Sequence, residues 1–234
     1  MMHSLYALSP LNVVNESPYI AAGITLSTIP LIIPRVGGRI KKALAIIIVV
    51  VMMFMVWFYR HPIHSPRNDI KPGDIVSPAY GTVYEILPVE KNGVQYNHIS
   101  IFLSPADVHV QYIPVDSTFV STTYDATGKF HLAYEMNKSN DNEKAITVIT
   151  PHTDASPTPA ASSDIYITQI AGYLVRRINT KKFTEGQKLK MGQELGMIKF
   201  GSRVDVELPS SYKILIKEGQ YLYGPNTTLA TVGT

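Results

Sequence analysis

Two hydrophobic patterns divide the chain. From Ala43 to Tyr59 there is no charged residue, and no polar position recurs at helical spacing. A helix lying on a soluble core shows polar residues every third or fourth position, so this stretch predicts a helix that is apolar all round. Its length is at the short end of what crosses a hydrocarbon layer of about 30 Å, and Trp57, Phe58 and Tyr59 close it like an interfacial belt. A weaker apolar segment, Tyr19 to Pro34, precedes it and is broken by Gly23 and Pro30. The basic residues Arg35, Arg39, Lys41 and Lys42 lie between the two. They read either as a helical hairpin or as one span after a loose segment, and Arg60, Arg67 and Lys71 on the far side leave the orientation open.

After Arg60 the period changes. Residues 61–76 carry prolines and mixed charge and read as an extended linker, so residues 1–60 form an anchor and 77–234 a domain of their own. In that domain short runs rich in valine, isoleucine, threonine and tyrosine alternate with glycine, proline and asparagine. Residues 81–87, 98–103, 108–113 and 145–149 are expected strands, and the fold class is mainly β, sandwich-like or barrel-like. Residues 137–144 and 150–163 are expected exposed loops, and only 165–180 and the end of the linker leave room for short helices.

Composition narrows the chemistry. Charged residues are 17% of the 234, below the roughly 25% of a soluble domain, which fits a membrane segment. The net charge of +3 does not point to nucleic acid. Without cysteine there is no thiol nucleophile and no thiolate-held metal, and no metal site is expected.

Glu185-Gly186-Gln187 returns as Glu218-Gly219-Gln220, each within a turn, strand, turn, strand pattern. Carrier modules for biotin or lipoate share that pattern, with Lys190 as the candidate lysine, but a repeated scaffold is the expected reading. A Gly-Ser pair between two strands, Gly201-Ser202, offers sharper chemistry. A strand interior avoids glycine unless the backbone must bend or something must come close. A serine there can attack the carbonyl behind it, giving an ester and, after β-elimination, a dehydroalanine that hydrolyses to a pyruvoyl group.

The sequence around this pair, Phe200-Gly-Ser-Arg-Val-Asp-Val-Glu-Leu-Pro209, closely resembles the self-cleavage motif of the phosphatidylserine decarboxylases, in particular their short archaeal and bacterial form. Phe58-Tyr-Arg-His-Pro62, Ser77-Pro-Ala-Tyr-Gly81, Ile101-Phe-Leu-Ser-Pro-Ala-Asp-Val-His-Val110, Gly128-Lys-Phe130, Asn142-Glu143 and Gln169-Ile-Ala-Gly-Tyr-Leu-Val-Arg-Arg-Ile178 follow in family order. The likeness covers roughly residues 58 to 230, and the apolar segments before it are similar to the family's membrane anchor.

The resemblance implies a membrane-anchored proenzyme cut between Gly201 and Ser202, leaving a heterodimer of a large chain and a small one. The small chain begins with a pyruvoyl cofactor derived from Ser202. The family's activity is a carboxy-lyase one: a Schiff base forms with a serine phospholipid in the bilayer, and carbon dioxide and the ethanolamine lipid are the products. His109 is implied as the general acid. Lys199 and Arg203 are candidates for the lipid phosphate, with Arg176 and Arg177 beside them. Tyr80 stands where the family has aspartate, and Tyr112 where one branch has a second histidine. An alternative is therefore an uncleaved lipid-binding relative, unless another group such as His98 or Asp205 assists Ser202.

Overall fold

The computed structural model describes residues 6–8, 37–62, 69–71, 73–129, 131, 136–152, 164–172, 178–199 and 202–232. It divides into two compact units, residues 1–63 and 64–234. The first holds β1 (Tyr6–Leu8), α1 (Gly38–Phe58) and β2 (Arg60–Pro62), with β1 and β2 antiparallel. At 1.5 Å per residue the 21 residues of α1 reach about 31 Å, enough by length and composition to cross a membrane. At its end the Arg60 guanidinium lies 4.2 Å from the centre of the Trp57 ring and donates to the Trp57 carbonyl at 2.8 Å. This joins the aromatic end of the helix to its flanking cation. The earlier apolar segment, Tyr19 to Pro34, lies outside the described residues.

The second unit is almost wholly β. It begins with β3 (Ile75–Val76), β4 (Tyr80–Lys91), β5 (Val94–Leu103), β6 (Val110–Tyr112) and β7 (Ser117–Asp125). After the single turn α2 (Met136–Ser139) come β8 (Lys144–Pro151), β9 (Ile165–Ile170), β10 (Ile178–Thr180), β11 (Lys188–Leu189) and β12 (Glu194–Ile198). The last strands are β13 (Ser202–Pro209), β14 (Tyr212–Ile214), β15 (Tyr221–Tyr223) and β16 (Thr228–Val232). Eight of these form a curled antiparallel sheet in the order β11-β7-β8-β9-β13-β5-β4-β15. Two three-stranded sheets, β10-β12-β6 and β14-β16-β3, complete the unit.

The core lies on one face of the large sheet. Val204, Val206 and Leu208 of β13 meet Ile99, Ile101 and Leu103 of β5 and Ile165 and Ile167 of β9 there. Each such side chain contributes about 1.5–3 kcal/mol on burial. The small sheets close over them with Leu195 and Ile198 of β12 and Leu229 and Ala230 of β16.

Two expectations are corrected. Residues 165–170 form a strand rather than a helix, because Ile165, Ile167 and Gln169 alternate with Tyr166, Thr168 and Ile170, the first set facing inward and, through Ile167 and Gln169, pairing with the core side of β13. Residues 173–177 lie outside the described set. The stretch 137–144, read as an exposed loop, buries Ser139, Asn142 and Glu143. Asn142 accepts from the His131 amide and donates to the carbonyls of His131 and Ala171, at 2.8 to 2.9 Å. A polar side chain that bonds this many backbone groups can be buried without cost, which composition alone does not reveal.

The repeated Glu-Gly-Gln proves to be three copies of one turn. Gln187, Gln193 and Gln220 each accept, through Oε1, the amide of the residue three positions earlier, at 3.0 to 3.2 Å. Gly186, Gly192 and Gly219 take φ of 76 to 78° just before them. Lys190 opens the middle copy, and its ammonium pairs with Asp116 at 3.0 Å.

Gly81 holds a tighter position. Its φ is +145°, and a Cβ there would lie 2.3 Å from the Phe102 carbonyl oxygen. Gly81→Ala is expected to cost about 1–3 kcal/mol and to lower the melting temperature by about 2–12 °C, read by thermal unfolding. An unchanged transition would contradict this close strand approach.

Candidate active site

Alternation along β13 sends successive side chains to opposite faces of the sheet. Ser202 pairs with Leu103, Val204 with Ile101 and Val206 with Ile99, so Ser202 shares the inner, core-facing side. It is fully buried, and its Oγ has no hydrogen-bond partner among the described residues. A buried hydroxyl left in that state is costly, and in a functional protein it points to a role. Gly201, the other side of the expected cleavage, lies outside the described residues, as do Arg176 and Arg177.

The chain returns to this place twice. β5 ends at Leu103, opposite Ser202, and leads into the loop that carries His109. β12 ends at Ile198, whose amide donates to the His109 carbonyl at 3.2 Å, and leads to Ser202. His109 is thus held beside the end of β12. Along 108–112 the side chains alternate: Val108, Val110 and Tyr112 pack together on one side, leaving His109 and Gln111 to the other. Both are fully buried.

Fixed hydrogen bonds set the orientation of this group. His109 Nδ1 lies 2.9 Å from the Asp107 carbonyl oxygen, a pure acceptor, so Nδ1 carries the hydrogen of that bond and Nε2 is the ring nitrogen outside it. The Asp107 carboxylate accepts from the Ser104 amide at 2.7 Å and from the Tyr221 hydroxyl at 2.6 Å, tying the 104–107 turn to β15. Burial, and then that bond, push the Tyr221 phenol well above its usual range, so it remains a donor. Gln111 donates to the His109 carbonyl at 2.7 Å and accepts from Gln169 of β9 at 2.8 Å. Gln169 lies opposite Val204, on the Ser202 face.

The other face of β13 is ionic. Arg203 is buried and donates to Ser139 Oγ at 2.8 Å, Asn140 Oδ1 at 2.6 Å and Asp205 Oδ2 at 2.9 Å. Farther along, His98 of β5 lies between Asp205 at 3.8 Å and Glu207 at 3.7 Å, with Ser100 Oγ at 3.0 Å. Lys91 pairs with Glu207 beyond it. His98, Asp205 and Arg203 therefore stand across the sheet from Ser202. Lys199 is buried on the segment between β12 and Ser202.

Tyr80 and Tyr112 come together. Their ring centres lie 6.5 Å apart, and Tyr80 packs against Val108, Val110 and Tyr112. Through Thr82, which pairs with Phe102 and so with Arg203, the ladder places Tyr80 on the outer face. The two departures from the family pattern form one aromatic contact rather than two separate losses.

The family model described as phosphatidylserine decarboxylase matches residues 51–230. The chain belongs to the phosphatidylserine decarboxylase family. The phosphatidylserine decarboxylase proenzyme of Ehrlichia chaffeensis is 36% identical over 200 residues, 83% of each chain. That of Chlorobaculum tepidum is 35% identical over 207 residues, covering 87% of this chain and 88% of its own. That of Chlorobium limicola is 33% identical over 184 residues, 78% of this chain and 81% of its own. The chain is thus a member of a family of carboxy-lyases, the enzyme class expected of it.

Gln111 and Tyr221 were not singled out from the sequence as functional, and Asp107 and Gln169 appeared only as parts of motifs. The signal for the two glutamines was present: each interrupts a run of apolar strand residues at a position that alternation sends inward.

The ionic face has a measurable signature. Burial alone lowers the His98 pKa and Arg203 opposes its charge, but Glu207 and Asp205 outweigh them and raise it above the usual 6.5. A raised folded value means that this stabilisation is complete below about 6.5 and fades as pH rises through the folded pKa. The melting temperature is expected to fall from pH 6 toward pH 8, and His98→Gln should flatten that slope. An unaltered slope in the variant would contradict the assignment.

Proposed function

We propose that this chain is a proenzyme that cuts itself between Gly201 and Ser202 and then removes carbon dioxide from phosphatidylserine or a related serine phospholipid. Family membership supports the decarboxylase reading. The observation that carries the rest is the fully buried Ser202 Oγ, without a partner among the described residues, on the face it shares with Gln169.

In the first stage Ser202 Oγ adds to the Gly201 carbonyl carbon, and the amide becomes an ester as the nitrogen leaves. Loss of the Ser202 α-proton then expels the Gly201 carboxylate. Water replaces the nitrogen, which departs as ammonia, and the pyruvoyl group remains. His109, with Nδ1 bonded to Asp107, offers Nε2 to take a proton during this sequence, and the protonated nitrogen can return one, the general-acid role expected of it. The residues present fit a group made in place: the serine lies at the start of a central strand, away from the Arg203 side of the sheet.

The pyruvoyl group supplies a ketone that captures a primary amine and a sink for the electron pair left by carbon dioxide. The chain supplies burial and orientation around it. Lys199, buried three residues before Ser202, is the cation assigned to the lipid phosphate; Arg203 directs donors to Ser139, Asn140 and Asp205. The anchor, residues 1–60 with α1 as its span, holds the domain, residues 77–234, at the surface where the substrate resides and raises its local concentration.

A second reading, an uncleaved lipid-binding relative, draws on Tyr80 and Tyr112 packing against each other where part of the family has ionisable groups. One experiment separates the two. Freshly purified protein is expected to resolve on a denaturing gel into chains of 1–201 and 202–234, and Ser202→Ala should leave one full-length band. A wild type that stays whole while inactive favours the second reading. A wild type that stays whole while decarboxylating lipid overturns the proposed cofactor.

A further inference from the structure

We propose that Gln169 Oε1 is the acceptor that receives the headgroup ammonium of the lipid, and so selects a primary amine in this site. The inference rests on the function proposed above.

The orientation of its amide is forced by its neighbours. A backbone carbonyl can only accept, so the Gln111 group facing the His109 oxygen at 2.7 Å must be Nε2. Gln111 Oε1 then faces Gln169, and the group of Gln169 that meets it at 2.8 Å must be the donor, Nε2. Gln169 Oε1 is thereby turned away from the chain of bonds. It is fully buried and has no hydrogen-bond partner among the described residues. An amide oxygen held so, with no proton of its own to give, accepts from a donor and repels another acceptor.

Position supplies the rest. Gln169 pairs with Val204, on the side of the sheet to which Ser202 also points. Gly196 of β12 lies beside it: a Cβ there would come 3.2 Å from Gln169 Nε2 and 2.4 Å from the Asn179 carbonyl oxygen, so its missing side chain leaves room for the amide. A serine headgroup brings one strong cluster of N–H donors to this site, its ammonium. An ammonium bound to a fixed acceptor beside Ser202 places its nitrogen next to the atom that must react with it.

The test uses the full chain in dodecyl maltoside with Ser202→Ala, so that binding is read without cleavage or turnover. The probes are dihexanoyl phosphatidylserine and the analogue with the amine replaced by hydrogen, titrated calorimetrically. Gln169→Leu removes donor and acceptor, whereas Gln169→Glu removes the donor and keeps an acceptor. The parent is expected to prefer the amine lipid, Gln169→Leu to lose about tenfold of that preference, and Gln169→Glu to retain it. If leucine and glutamate lose it equally, Gln169 is only a strut for Gln111 and the proposal fails. It fails as well if leucine leaves the preference intact. Should the leucine variant not fold, Gln169→Met takes its place with the same expectation. Cleavage of the Ser202-containing parent, scored separately by intact mass, reports on the proposed function alone.

Discussion

The chemistry of this protein depends on the two-residue period of one strand. β13 runs through the middle of an eight-stranded sheet, paired on both edges, so a slip of one residue would send every side chain to the wrong face. Val204, Val206 and Leu208 fix the phase by filling the core, and Arg203, Asp205 and Glu207 fix it from the other side by pairing with Ser139, Asn140, His98 and Lys91. Ser202 inherits its orientation from that register. A hydroxyl that would stay in water on a loop is carried instead into a dry place. There an unmet hydrogen bond costs about 1–3 kcal/mol.

The polar groups around it are ordered by similar logic. Every bond from Asp107 through His109 and Gln111 to Gln169 has only one permissible direction, because the chain includes backbone carbonyls that cannot donate. Buried networks of this kind are tolerated when their members are satisfied, and they then hold side chains in single orientations. The unsatisfied ends, Ser202 Oγ and Gln169 Oε1, lie on the same side of the sheet.

Much of this was legible in the sequence where the pattern was local. The uncharged run became α1, the β-branched runs became strands, and the motif around Gly201-Ser202 pointed to the family that the comparisons found. What stayed hidden depended on partners far along the chain. Asn142 looks like a surface residue until His131 and Ala171 surround it, and Ile165–Ile170 looks ambiguous until β8 and β13 flank it. Arg203 next to the serine suggests a phosphate ligand, and only strand parity shows that it faces the other way. The relation between Tyr80 and Tyr112, 32 positions apart in sequence, likewise required the fold.

The central claim is that residue 202 does not remain an amino acid. The most direct measurement is the intact mass of the small chain from active protein. The account predicts residues 202–234 lighter by one ammonia than a chain beginning with serine, and closed to Edman degradation. A small chain with a free serine at its start, or an active preparation whose chain is whole, would contradict it.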